Sequence, residues 1–437
     1  MSSFVRESKI RHISINLTPK ESFYEQLKVS NVSNDNNMLT SNEKFLAYID
    51  SGGGGSVVAV LPLTSVGKNH IPILAPSYQQ PLIRAHSQPV QDLCFNPFNT
   101  YQLLTCSTDG NLKIWSVPNE GYIVDDTTPI AVLNSPNNSA LRGISPHPSA
   151  ANIVATRGTK DIQLFDINTN NFIRNLDGFT SDLQSMCWSF YGDLLASTTK
   201  DKFIQLSDIR SSSIIATTNA HGNHRTSRTL WLGASPYVLS CGFTNTHDRE
   251  IAIWDSRNLT TAIKRQRIDS STGPLIPFYD VEHNYFILAG KGDSSIRVYE
   301  FESSSDSSAE IYPITTISLG GSTNENLTTR GASILPKQVN NVMNCEILKL
   351  LRLTENSIQP VSFTIPRKEK LKFHSDLYPP TISSAPPALT ADEWLSGANS
   401  LPNRIEISSN LSINTSSSLQ NDTNDGNNNT NNNNNNN

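Results

Sequence analysis

Between residues 103 and 300 one local pattern is written five times. An apolar run enters a polar turn. Six residues past a fixed turn position stands an anchor, aromatic in four copies of five, and an acid tends to follow it. The copies are Leu103–Ser116 (LLTCSTDGNLKIWS), Ile153–Asp166 (IVATRGTKDIQLFD), Leu194–Asp208 (LLASTTKDKFIQLSD), Val238–Asp255 (VLSCGFTNTHDREIAIWD) and Phe286–Glu300 (FILAGKGDSSIRVYE). Their anchors are Trp115, Phe165, Ser207, Trp254 and Tyr299, spaced 42 to 50 residues apart. A unit of that length cannot bury its apolar face alone. It must stack on its neighbours, and copies that curl make a closed disc of small sheets.

The register sharpens this. The turn position holds Asp109, Thr159, Asp201, Asp248 and Asp293, and the position after the anchor holds Ser116, Asp166, Asp208, Asp255 and Glu300. With 39 acids in 437 residues, neither coincidence is a chance one. An Asp in a turn accepts bonds from nearby backbone N–H groups. The strand that follows alternates faces, which gives Ile114, Leu164, Leu206, Ile253 and Val298 similar inward environments. His86 is placed to partner Asp109 in the hydrogen-bonded network of a WD blade, and His221 or His224 to partner Asp248. The other copies have no such His. One period back lies Val57–Leu63 (VVAVLPL), and one period forward Cys345–Leu353 (CEILKLLRL). Five copies and two weaker ones predict an all-β chain, a seven-bladed WD40 β-propeller. A ring with open ends would leave bare sheet edges, and His12–Leu17 (HISINL) is the candidate strand that joins the last blade.

Composition narrows the function. Net charge is −5 and pI about 6.0, so no global field draws the chain to nucleic acid. No apolar stretch reaches transmembrane length, and the polar, basic N-terminus lacks a secretory h-region. Five scattered cysteines without a CxxC read as reduced thiols of a cytoplasmic protein. Gly52–Gly55 lacks the Lys-Ser/Thr of a phosphate loop and leads into a strand, so it reads as a hairpin turn. Ala289–Ser295 has Tyr285 where a phosphate loop needs its first Gly, and reads as a blade turn. His221, His224 and His247 with Asp248 are spaced unlike structural zinc ligands, so turn roles are expected and no metal. No GxSxG elbow and no HExxH is present. The expectation is a binding protein, not an enzyme, without cofactors.

Three regions lie outside the repeats. Residues 1–30 carry Arg6, Lys9, Arg11, Lys20 and Lys28 against few acids, which suits either a contact for an acidic partner or a solvated blade edge. Residues 361–409 are Pro-rich and irregular. Residues 410–437 are mostly Asn, Ser and Thr and end in unbroken Asn, a composition expected to stay disordered.

Several segments resemble the coronins, a family of actin-binding WD propellers. They are Ser8–His12 (SKIRH), Phe23–Ser30 (FYEQLKVS), Ser51–Leu63, Ser270–Asp280 with Gly290–Glu300, Val339–Leu353 and Ile365–Gly397. The last, IPRKEKLKFHSDLYPPTISSAPPALTADEWLSG, is similar to the coronin extension that packs on one face of the propeller. The resemblance implies three units: a propeller over 1–360, the extension over 361–409 and the tail over 410–437. It implies binding to F-actin, with regulation of branching by the Arp2/3 complex and of severing by cofilin, at the cytoplasmic cortex in motility, endocytosis or cytokinesis. It places a basic actin contact at Lys28, where many relatives have Arg. Arg6, Lys9 and Arg11 are further candidates from local charge, and Ser2 or Ser3 from phosphorylation in some relatives. The tail has no heptads where short coronins carry a coiled coil, which predicts a monomer. The rival reading is a general WD40 adaptor for a complex without actin, and the extension argues against it.

Overall fold

The computed structural model describes residues 8, 10–68, 79–303, 308–320, 328–369, 372–383 and 385–407. Candidates Arg6, Lys9, Ser2 and Ser3 and the tail 410–437 lie outside them. The described residues form seven four-stranded antiparallel sheets and one two-stranded ribbon. The innermost strands are Leu39–Ser41, Val90–Asn96, Gly143–Pro146, Leu183–Trp188, Arg228–Trp231, Leu275–Asp280 and Gly331–Ile334. Each touches the next, and the first touches the seventh, with Ser41 Oγ 2.8 Å from Ser333 Oγ. The ring is closed as the period predicts. The closing strand is Ser14–Leu17, antiparallel to Ile358–Thr364 with Ser14 opposite Thr364 and Leu17 opposite Val361. That partner strand runs past residue 360, so the propeller's last strand extends beyond the boundary expected there.

The repeated spelling does what its chemistry suggests. Ile114, Leu164, Leu206, Ile253 and Val298 are all fully buried, as are Trp115, Phe165 and Trp254. Tyr299 stacks on Phe286 with ring centroids 5.2 Å apart. Ser207 is buried too, but its hydroxyl has no partner among the described residues, which marks the eroded anchor of the fourth blade.

In the second blade Trp115 Nε1–H donates to Thr105 Oγ1 (3.0 Å), the Thr105 hydroxyl lies 2.9 Å from His86 Nε2, and His86 Nδ1 lies 3.0 Å from Asp109. Asp109 also accepts from the amides of Ser87 and Asn111. Burial alone would raise the Asp109 pKa; His86 and those amides hold it down, to about 2. Thr105→Val keeps the shape and strands both the indole N–H and His86 Nε2. It should cost about 1–3 kcal/mol in a urea titration, and an unchanged midpoint would show that the relay contributes nothing.

The fifth blade builds the same relay with a different acid. Trp254 Nε1–H donates to Ser240 Oγ (2.8 Å), which meets His221 Nε2 (2.8 Å), and His221 Nδ1 reaches Glu250 Oε1 (2.8 Å). Asp248, expected as the acid of this relay, bonds Arg267 and Thr246 instead, and His224 stands exposed. The cause is register. Phe243 pairs with Arg249, and Gly242 with Glu250, so Glu250 rather than Asp248 comes level with the His221 ring packed on Gly242. Asp201 accepts from the Thr180 hydroxyl, and Asp293 from the Ser295 amide (2.7 Å) and from Arg249 (2.7 Å).

In such a meander, turns between second and third strands share one face of the disc with the links between blades. The other connections share the opposite face. The former is called the turn face, and it carries Gly52–Gly55, Asp109, Asp201, Asp248 and Asp293. The C-terminal extension covers the other, the strap face. Tyr378 Oη donates to the carbonyl oxygens of Val342 and Glu346, His283 Nε2 to Leu377 O (3.0 Å), and Leu389 exchanges backbone bonds with Ser149 and Ala151. Thr390 and Glu393 form a capping box that starts the short helix Ala391–Leu395 and aims Trp394 into the disc. Trp394 is fully buried. Its Nε1–H donates to Gly192 O (2.8 Å), and its ring meets those of His147 and Trp188 edge-on at 4.8 and 5.8 Å.

Candidate functional site

From Leu17 the chain emerges on the turn face and runs between the seventh and first blades. Tyr24 exchanges backbone bonds with Ile358, the Leu27 amide donates to Asn356 O (2.9 Å), the Ser51 amide to Lys28 O (2.9 Å), and the Ser30 amide to Ile49 O (3.0 Å). The segment is therefore extended and pinned on both sides. Leu27 and Val29 point into the core and are nearly buried, so alternation turns Lys28 outward. The glycine turn makes room for this. Gly55 sits at φ +85, and a Cβ there would stand 2.7 Å from Ser30 Oγ. Any larger residue would push the Lys28 segment off the first blade.

The ammonium of Lys28 has no hydrogen-bond or ion-pair partner among the described residues. Asp50 beneath it is buried and accepts from the Gly52 amide (2.8 Å). Burial raises the Asp50 pKa, against the pull of that amide and of Lys28 and Arg84. Arg84 itself is engaged by Asp125 at 2.7 Å. Lys28 is thus a charge held on a pinned backbone, close enough to Asp50 to act on it electrostatically, while Arg84 is already paired.

Of the other basic candidates, Arg11 lies within the described residues, and it does not join Lys28. Arg11 precedes the closing strand, and that strand carries the chain from one face of the disc to the other. Arg11 lines a cleft on the strap face with His12, Glu282, Glu302 and Arg404. Arg11 and Lys28, 17 residues apart in sequence, are thus parted across the disc. What does lie beside the Lys28 segment is Arg330, whose guanidinium reaches Asn31 Oδ1 (2.6 Å) and Ser30 O (3.2 Å). No local signal in the sequence marks Arg330. Only the closing of the ring brings it there.

Comparison with known proteins agrees with this architecture. A family described as a domain of unknown function, DUF1899, matches residues 3–68, the stretch that includes Lys28 and the glycine turn. The WD domain, G-beta repeat, matches residues 78–116 and 170–208, and a type of WD40 repeat matches 358–402. Coronin-A of Dictyostelium discoideum is 33% identical over 407 residues, which span 93% of this chain and 87% of that protein. The chain belongs to the coronin family. Human coronin-2A is 31% identical over 91% of this chain and 73% of its own length. The coronin-like protein of Saccharomyces cerevisiae is 34% identical over 90% of this chain, which spans only 59% of that relative. Among solved structures, the WD40 domain of Toxoplasma gondii coronin superposes with a TM-score of 0.82 at 27% identity, over 91% of this chain and 98% of that one. Its coronin fold is thus matched over both the ring and the strap. Among the described residues no helix is long and apolar enough to cross a membrane.

Proposed function

We propose that this coronin-family chain binds the side of actin filaments through the turn face around Lys28. In this reading it regulates filament organisation with cofilin and the Arp2/3 complex, in the cytoplasm at the cell cortex, during motility, endocytosis or cytokinesis. The observation that carries the reading is the seat of Lys28. An ammonium with no ion-pair partner among the described residues stands on a backbone pinned by both neighbouring blades, on the face the strap leaves open, in a chain of this family. Such a charge loses little freedom on binding and suits an acidic surface. Lysine offers a point charge rather than a planar fork, so contact survives without bidentate geometry.

Co-sedimentation with actin filaments at low and physiological salt tests the reading. Wild type should pellet, and Lys28→Glu should weaken pelleting about tenfold or more with an unchanged unfolding midpoint, because the side chain is exposed. Lys28→Arg should bind at least as well. Absence of wild-type pelleting at low salt would reject actin as the partner and favour a general adaptor.

A further inference from the structure

Beyond Lys28 the chain crosses the axial opening of the disc on the turn face. Residues 31–38 then lead into the innermost strand Leu39–Ser41. Four blades each send one cation to this crossing. Arg157 of the third blade donates to Asn36 Oδ1 (3.1 Å), Arg228 of the fifth to Asn37 Oδ1 (3.0 Å), Lys291 of the sixth to Asn36 O (2.7 Å) and Arg330 of the seventh to Asn31 Oδ1 (2.6 Å). The crossing answers with its own donors. Asn34 and Asn36 give their side-chain N–H groups to Gln91 O (2.8 Å each), and Asn36 also to Arg142 O (2.7 Å). Asn suits this place because one short side chain both donates and accepts. At the crossing these basic groups meet neutral oxygens, and Arg330 pairs outside it with Glu355 (3.6 Å); bonds from the charged guanidinium groups are the stronger kind.

Asn31 stands three residues from Lys28, and the stretch between is buried at Val29 and Ser30. No slack separates the crossing from the exposed ammonium. We propose that residues 31–38 act as a hub that fixes the direction of Lys28. Arg330 and Lys291 are then positioning residues for the filament contact, which rests on the actin reading above. Neither need touch the partner. Each removes freedom from the segment that does, so binding orders less chain.

Arg330→Met and Lys291→Met, in the full chain, test this with two readouts. Amide hydrogen exchange of residues 27–38 should rise at least about tenfold in either variant, while exchange in Phe45–Asp50 and Val57–Pro62 stays as in wild type. The Kd for filaments in co-sedimentation should rise about three- to tenfold. Arg330→Lys should recover part of both effects, since an ammonium can reach one of the two oxygens. Unchanged exchange would overturn the hub. Raised exchange with unchanged pelleting would overturn the positioning role, and weakened pelleting with unchanged exchange would make Arg330 or Lys291 a direct contact instead. If wild type itself fails to pellet, the actin reading falls and the presenting role with it. The exchange data would still decide whether the hub clamps the segment.

Discussion

Replacing Trp394 by Ala is expected to cost about 3–5 kcal/mol and to release the strap while the ring stays closed. The indole is fully buried between the third and fourth blades. Its removal deletes the edge contacts with His147 and Trp188, the bond to Gly192 O and the platform under the Arg210 guanidinium, 5.2 Å from its ring centre. The helix that presents it has five residues, too short to hold a shape by itself. The strap supplies no strand to any blade, so its release leaves all seven ladders paired. The measurement is a urea titration alongside limited proteolysis. The midpoint should fall, and cleavage should appear within residues 375–407 before any blade is cut. Trp394→Phe keeps a ring in the pocket but loses the N–H and part of the indole's bulk, so it should cost about 1–3 kcal/mol. An Ala variant with a loss under about 1 kcal/mol and no new cleavage would mean that the strap is held elsewhere.

The ring was legible because its rule is local. Each blade repeats a turn acid, an inward aliphatic and an anchor at fixed offsets, so counting offsets counts blades. The closing strand was legible for the same reason, since one segment stood free near the N-terminus with the right alternation. Reading by offset failed where a hairpin changed length. The turn before Trp254 carries extra residues, and the acid level with His221 is Glu250 rather than Asp248. Proximity in sequence misled for Arg11 and Lys28, because the strand Ser14–Leu17 between them runs as the outer strand of the seventh blade and leaves the two on opposite sides of the disc. The hub cations were illegible for the opposite reason. Arg157, Arg228, Lys291 and Arg330 come one to a blade, and nothing relates them until the ring closes. Trp394 was visible as part of a resembling segment, but its partners His147 and Gly192 belong to two different blades.

Acid should destabilise the protein well above the carboxylate range, and His147 is the main reason on the strap face. His147 Nε2–H donates to Gly192 O (2.9 Å), and Nδ1 accepts from the amides of Ala150 (2.8 Å) and Ser149 (3.2 Å). A proton at Nδ1 would face two N–H groups. Gly192 approaches the ring so closely that a Cβ there would lie 2.1 Å from it, so no water can intervene from that side. Burial first, and Arg210 as well, push the His147 pKa down to about 4 against the pull of Gly192 O and Asp193. The folded state thus prefers neutral imidazole, while the unfolded chain binds a proton near 6.5. Stability from this group is complete above that value and is lost as pH falls, by about 2 kcal/mol at pH 5 and about 3 kcal/mol at pH 4. His221 is lowered by burial and acts in the same direction. Asp50, Asp92 and Asp161 are raised by burial and act in the opposite one. The His147 share is therefore read as a difference. Opening its pocket with Trp394→Ala should return the imidazole towards its ordinary pKa and remove about 2 kcal/mol of the stability change between pH 6.5 and pH 5, without altering the shares of the distant groups. Equal pH slopes in wild type and variant over that window would show that the His147 ring is not held neutral by the strap.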